Sequence, residues 1–135
     1  MISTHIVILG TGFGGFTVAR TLERSRDRLR THVTVVDRAN YMLFTPMLPE
    51  VSSGAVEPRH IAQPLRVALQ HSLFELGEIT GVDFNKRVVE LQHPIDNRSI
   101  VLEYDQLVIA LGATTSTHGI PGAEDHSFPL KTLDD

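Results

Sequence analysis

At 135 residues the chain has the size of one domain, long enough for a packed core but short for an enzyme that must bind two nucleotides. An apolar fraction of 41% beside 21% charged residues excludes wholesale disorder, and a net charge of −4 argues against nucleic acid as a partner, which would call for a basic face. With no cysteine there is no disulfide, thiolate metal site or redox dithiol, and the seven histidines lack the short spacings of a metal site.

Residues 5–15 read H-I-V-I-L-G-T-G-F-G-G. Ile6, Val7, Ile8 and Leu9 predict a buried parallel strand, which runs straight into Gly10, Gly12 and Gly15 at the spacing G-x-G-x-x-G. The order of strand, glycine turn and helix start is what a diphosphate needs. Gly10 makes the tight turn, Gly12 lets backbone approach the pyrophosphate, and Gly15 lets helix pack on strand, with the helix dipole adding favourable charge. Thr11, Phe13 and Gly14 fill the same turn and count as candidate cofactor contacts with it. Phe16, Ala19, Leu22 and Leu29 then mark the apolar stripe of a helix.

Residues 32–38, H-V-T-V-V-D-R, predict a second buried strand ending in Asp37 and Arg38. An acid about twenty residues past the glycines is placed to accept hydrogen bonds from the hydroxyl pair of an adenosine ribose. A glycine turn followed by an unrelated surface aspartate would also give these residues, but not the full order of strand, glycines, helix, strand and acid. Arg20, Arg24, Arg26, Arg28, Arg30 and Arg38, mixed with Glu23 and Asp27, describe the solvated side of the helix and the loop after it. A first strand so close to Met1, with no apolar run of spanning length, gives the expectation of a cytoplasmic protein without a leader.

The plain strand-helix repeat then stops. Residues 40–54, N-Y-M-L-F-T-P-M-L-P-E-V-S-S-G, form an apolar loop in which Pro46 and Pro49 argue against a regular helix. Such a loop is either a plug in the core or the wall of a ligand crevice. Residues 57–71 predict a helix with Pro58 in its first turn and Ile61, Leu65, Ala68 and Leu69 on one face, kinked or divided at Pro64. Residues 73–84, 88–91 and 100–103 predict an antiparallel meander with turns at Asn85-Lys86 and 94–97. Residues 107–111, L-V-I-A-L, return the chain to the parallel sheet and end at Gly112.

The glycine turn, Asp37, the meander and Y-D-Q-L-V-I-A-L-G-A-T-T-S together resemble the FAD domain of the two-dinucleotide-binding-domain flavoproteins, the pyridine nucleotide-disulphide oxidoreductase superfamily. N-Y-M-L-F-T-P-M-L-P-E-V followed by I-A-Q-P-L-R, and the tail G-I-P-G-A-E-D-H-S-F-P-L-K-T-L-D-D, are similar to the type II, non-proton-pumping NADH:quinone oxidoreductases. Leu111 departs from that pattern, which usually has threonine there in an A-T-G triplet.

The resemblance implies an α/β, Rossmann-like FAD-binding domain, a parallel sheet with a β-meander crossover. Residues 1–135 would be its N-terminal part, incomplete at the C-terminal side. Gly10, Gly12 and Gly15 would cradle the FAD pyrophosphate, and Asp37, with Arg38 beside it, would hold the adenosine ribose. Thr45 and Pro46 would lie beside the isoalloxazine, backbone near Ile79 would meet the adenine, and Ala110 to Gly112 would close over the cofactor. The flavin would carry the redox chemistry from NADH to quinone, with no catalytic side chain and no metal from this chain. Absence of cysteine sets the chain with this subgroup rather than with the dithiol reductases. A second glycine motif for NADH, the strand that meets the ribityl chain and an amphipathic helix for peripheral attachment, at the inner face of the cell membrane, would lie beyond Asp135. The strand edge at 107–111 would then be open to dimer formation. Two further classes stay open: a stand-alone NAD- or FAD-binding module without catalysis, and a flavin reductase serving another acceptor.

Overall fold

The computed structural model describes residues 3–25 and 29–135; Arg26, Asp27 and Arg28 of the expected solvated loop lie outside the described residues. The chain divides into two compact units, one made of Met1–Met42 and Pro64–Leu111, the other of Leu43–Gln63 and Gly112–Asp135.

In the first unit, β1 (Thr4–Leu9) leads to α1 (Phe13–Glu23) and β2 (Thr31–Asp37). The chain then passes β3 (Tyr41–Leu43), α2 (Leu48–Ser52), β4 (Ala62–Pro64) and α3 (Leu65–Ala68). It continues through β5 (Leu73–Leu76), β6 (Glu78–Asp83), β7 (Val88–Gln92), β8 (Ser99–Glu103) and β9 (Gln106–Ile109), and α4 (Ala123–His126) follows. Four strands form a parallel sheet in the order β5-β2-β1-β9, with Ile8 opposite Val35 on one side and Val108 on the other. β6, β7 and β8 form the antiparallel meander, and β3 pairs with β4 as a two-stranded sheet.

The alternation of side chains along β1 explains the layers. Ile6 and Ile8 point into a cluster with Ala19, Val33, Val35, Met42, Leu65 and Leu69, against which Phe16, Val18 and Leu22 of α1 pack. Val7 and Leu9 point the other way, into Val36, Val89 and Leu91, with Ile79, Ile100 and Leu102 beside them. Helix covers one face and meander the other, so the central strands are apolar on both sides and read as continuous runs.

Four expectations change in detail. Leu29 is 89% exposed and no part of the helix stripe, because α1 ends at Glu23. Residues 57–71 are not one helix but a 3₁₀ turn at Pro58–His60, then β4, then the single turn of α3. Pro64 is extended (φ −59°, ψ 127°) and serves as the residue that opens α3. Its ring pushes the preceding residue out of helical geometry, so the helical spacing of Ile61, Leu65 and Leu69 records burial without a continuous helix.

Residues 73–84 divide at Gly77, with β5 joining the parallel sheet and β6 starting the meander. In the second unit, Pro46 and Pro49 start short helices rather than forbid them. Pro46 sits in the first turn of the 3₁₀ segment Thr45–Met47 and Pro49 in that of α2, where a missing N–H costs no hydrogen bond. That unit buries Leu48 and Ile61, and the Phe44 N–H donates to the Ile61 carbonyl at 2.8 Å.

The two meander turns fall where the sequence places them. Asp83 accepts N–H bonds from Asn85 at 3.0 Å and Lys86 at 2.9 Å, and Asp96 accepts one from Arg98 at 3.1 Å.

Candidate functional site

The turn after β1 is made by Gly10 at φ +92°, a conformation that side chains oppose. Its N–H donates to the Val36 carbonyl at 2.8 Å, tying the turn to β2. A Cβ at Gly10 would run into the Ala110 carbonyl, so this glycine also lets β9 approach. A Cβ at Gly15 would collide with the Gly10 carbonyl oxygen and press on Ile8 Cγ2 at 3.2 Å. At Gly12 the same Cβ would meet nothing within 4 Å. Two glycines therefore serve close packing and the third leaves open space at the start of α1. The helix has no acidic residue in its own first turn and no side-chain cap hydrogen bond at Gly12. Phe13 is about half exposed at that end, and Gly14 lies 3.9 Å, measured from an added Cβ, from the Ala110 methyl.

Asp37 stands at the end of the neighbouring strand. Its Oδ2 accepts the Thr11 N–H and the Thr11 hydroxyl, each at 2.6 Å, and its Oδ1 accepts the Ala39 N–H at 3.2 Å. Thr11 is only 2% exposed, so its side chain faces the acid rather than solvent. Beside this pair lies a cleft of about 280 Å³ lined by Gly10, Val36, Asp37, Arg38, Ile79 and Leu111, with Gly77 and Glu78 completing it. The cleft sits where β1 and β2 end and β6 begins, the carboxyl edge at which open α/β sheets take ligands.

The Gly77 N–H donates to the Asp37 carbonyl at 3.0 Å, and a Cβ at Gly77 would come within 3.2 Å of Leu91 Cβ. Val36, Gly77 and Glu78 are wall residues that motif reasoning did not select, while Leu111 falls within the expected stretch Ala110 to Gly112. A lone glycine inside a strand pattern was the available signal for Gly77. A larger groove, about 680 Å³, lies at the other end of α1 among Arg20, Glu23, Arg24, Gln70 and His71, and contains none of the predicted residues.

The structure thus gathers Gly10, Thr11, Asp37, Arg38, Ile79 and Ala110 in the first unit around one strand edge, Ala110 through its N–H to the Leu9 carbonyl at 2.8 Å. Thr45, Pro46 and Gly112 belong to the second unit, where Thr45 and Pro46 are exposed and Gly112 adopts φ +75°. The residues present fit an adenine dinucleotide. Open space at Gly12, a helix start without an acid in its first turn and an acid on the next strand are three features that suit its diphosphate and ribose.

Comparison with known proteins gives the family. The chain is 34% identical over 139 residues to an external alternative NADH-ubiquinone oxidoreductase of mitochondria from Yarrowia lipolytica, covering 96% of this chain and 23% of that protein. It is 35% identical over 135 residues to a demethylphylloquinone reductase from Synechocystis, covering 97% of this chain and 33% of the relative. The structure of NDH2 from Plasmodium falciparum in complex with NADH superposes with a TM-score of 0.85 at 30% identity, over 98% of this chain and 27% of that one. The chain therefore spans about a quarter to a third of the length of these relatives.

The expectation of a cytoplasmic protein is overturned, because the Yarrowia relative and several others are mitochondrial. It rested on a strand lying near residue 1 and on the lack of an apolar run of spanning length, neither of which says where a protein resides. The pyridine nucleotide-disulphide oxidoreductase family matches residues 4–135, and the chain belongs to that family.

Proposed function

We propose that residues 1–135 are the N-terminal part of an FAD-binding domain in an FAD-dependent NADH dehydrogenase that passes electrons to quinone. The observation that carries this reading is the glycine turn with its open face at Gly12, set beside Asp37 and the cleft. FAD held here would supply hydride and electron-transfer chemistry. This chain's residues bind and orient it. Backbone from Gly10 to Gly15 and the start of α1 hold the diphosphate. Asp37, with Arg38 at its side, holds the ribose, and backbone at Glu78 and Ile79 meets the adenine. Thr45 and Pro46 serve the isoalloxazine, and Ala110 to Gly112 close over the cofactor.

NADH as donor and quinone as acceptor are supported by what the relatives are named for. A flavin reductase of some other acceptor is less well supported, since both curated relatives described above act on a quinone by name. Titration with FAD, followed by displacement with ADP, tests the cofactor: FAD and ADP compete for one site. Failure of either to bind overturns the reading. NADH oxidation with a soluble quinone, in the longest form of the protein that carries these residues, tests the reaction.

A further inference from the structure

Thr11 lies between the first two glycines and is one of two buried polar residues in the described core, the other being Thr34. A buried hydroxyl must find a partner, and this one donates to Asp37 Oδ2 at 2.6 Å, the same atom that accepts the Thr11 N–H at 2.6 Å. A carboxylate oxygen offers about two acceptor directions, so these two short bonds fill Oδ2. Among the described residues Oδ1 accepts the longer bond from the Ala39 N–H at 3.2 Å and no other, which leaves it one acceptor direction. The main-chain N–H alone would serve to tie the acid to the turn. The hydroxyl is what closes the second direction.

We propose that Thr11 is a positioning residue that holds the Asp37 carboxylate in one orientation, with Oδ2 filled and Oδ1 as its acceptor toward the cleft, so that the site reads one ribose hydroxyl rather than a pair. The proposal rests on the adenosine reading of the cleft and narrows it. A carboxylate with both oxygens free meets a diol with both and loses equally when either hydroxyl is removed. A half-filled carboxylate tells the two hydroxyls apart.

Calorimetric titration with ADP, 2′-deoxy-ADP and 3′-deoxy-ADP tests this on the chain as it stands. In the unaltered protein one deoxy nucleotide binds about tenfold more weakly than ADP, the loss of one hydrogen bond to a charged acceptor, and the other binds within about twofold of ADP. Thr11→Val keeps the shape and removes the hydroxyl, and the gap between the two deoxy nucleotides closes to about twofold or less. Thr11→Ser keeps the gap. Thr11→Ala provides a second removal should the extra methyl of valine crowd Asp37.

A merely structural role would shift all three nucleotides together and leave their ratios alone. Equal losses for the two deoxy nucleotides in the unaltered protein overturn the single acceptor. An unchanged gap in both Thr11→Val and Thr11→Ala overturns the positioning role while ADP binding stands. No binding of ADP at all overturns the adenosine reading and this inference with it.

Discussion

Gly12 and Gly15 sit three residues apart in one motif and do different physical work. A side chain at Gly12 enters open space at a backbone φ of −65°, which any residue adopts, whereas one at Gly15 is driven into the Gly10 carbonyl. Gly12→Val is therefore expected to fold with a melting temperature close to the parent's and to lose nucleotide binding, because the added methyls fill the space a diphosphate needs. Gly15→Val is expected to lose about 3 kcal/mol of stability by forcing α1 away from β1. Thermal melts paired with FAD titration check both, and normal FAD binding by the Gly12 variant would remove the turn from the site. Asp37 belongs to the same scale. Asp37→Ala removes a carboxylate that lines the cleft and strands the Thr11 hydroxyl, so ADP and FAD should bind more weakly by roughly 1.5 to 3 kcal/mol. Equal affinity in that variant, measured by calorimetry, would make Asp37 an ordinary strand-end acid.

Among the elements, α1 is fastened at its far end by Glu23. Its carboxylate accepts N–H bonds from His71 at 2.9 Å, Ser72 at 2.8 Å and Gln70 at 3.4 Å, and the Ser72 hydroxyl at 2.8 Å. Partial burial pushes the Glu23 carboxyl upward, but the His71 N–H, the Ser72 hydroxyl and N–H and the Gln70 N–H together outweigh it and hold the group below its ordinary value. A carboxyl lowered in the folded state adds stability above its unfolded value, and that stability is lost as pH falls through the folded value. Glu23→Gln should therefore melt a few degrees below the parent at neutral pH, with the difference shrinking as pH falls below about 4.3. A difference that stays constant from neutral to acid pH would show that charge has no part in the fastening. The same segment marks the limit of what sequence alone reveals. The run from β1 through the glycines to β2 and Asp37 was legible because each signal is local: continuous apolar residues, a glycine forced to φ +92° at Gly10, an acid at a strand end. The break at Gly77 was not, because it depends on where β5 pairs with β2 and how closely Leu91 packs, both set by distant parts of the chain. Residues 57–71 misled for a related reason: burial of Ile61, Leu65 and Leu69 repeats at helical spacing, while Pro64 holds its backbone extended. Of the site, the cradle and the acid were readable. The partnership of Thr11 with Asp37 and the wall at Gly77 and Glu78 needed the fold.

At the scale of the whole chain, β9 is the last strand of the parallel sheet among the described residues, and Ile109 at its end is 58% exposed. A sheet edge with apolar side chains invites pairing with another chain. Concentration-dependent dimers are expected in sedimentation, and Ile109→Lys should shift them toward monomer without changing the melting temperature; a monomer at all concentrations would dismiss the edge as an interface. The last expectation concerns what these 135 residues do alone. They span about a quarter of the NADH-ubiquinone oxidoreductases they resemble and carry a single G-x-G-x-x-G, the one at Gly10 to Gly15. Donor and acceptor sites of the proposed reaction need surface that one such turn does not supply. The residues proposed for the adenosine half, Gly10 to Gly15, Asp37 and Ile79, all belong to one compact unit with a shared core. Those proposed for the isoalloxazine, Thr45 and Pro46, belong to another. Binding energy should therefore be concentrated in the adenosine half, so that ADP and FAD bind within about threefold of each other, a difference of less than about 1 kcal/mol. NADH oxidation with a soluble quinone should stay at the level of free FAD. Parallel titrations and that assay decide the matter. FAD binding far tighter than ADP, or sustained turnover, would mean that the flavin half of the site is also complete within these residues or is completed by a second copy across β9, and Ile109→Lys would tell those two apart by abolishing the gain only in the second case.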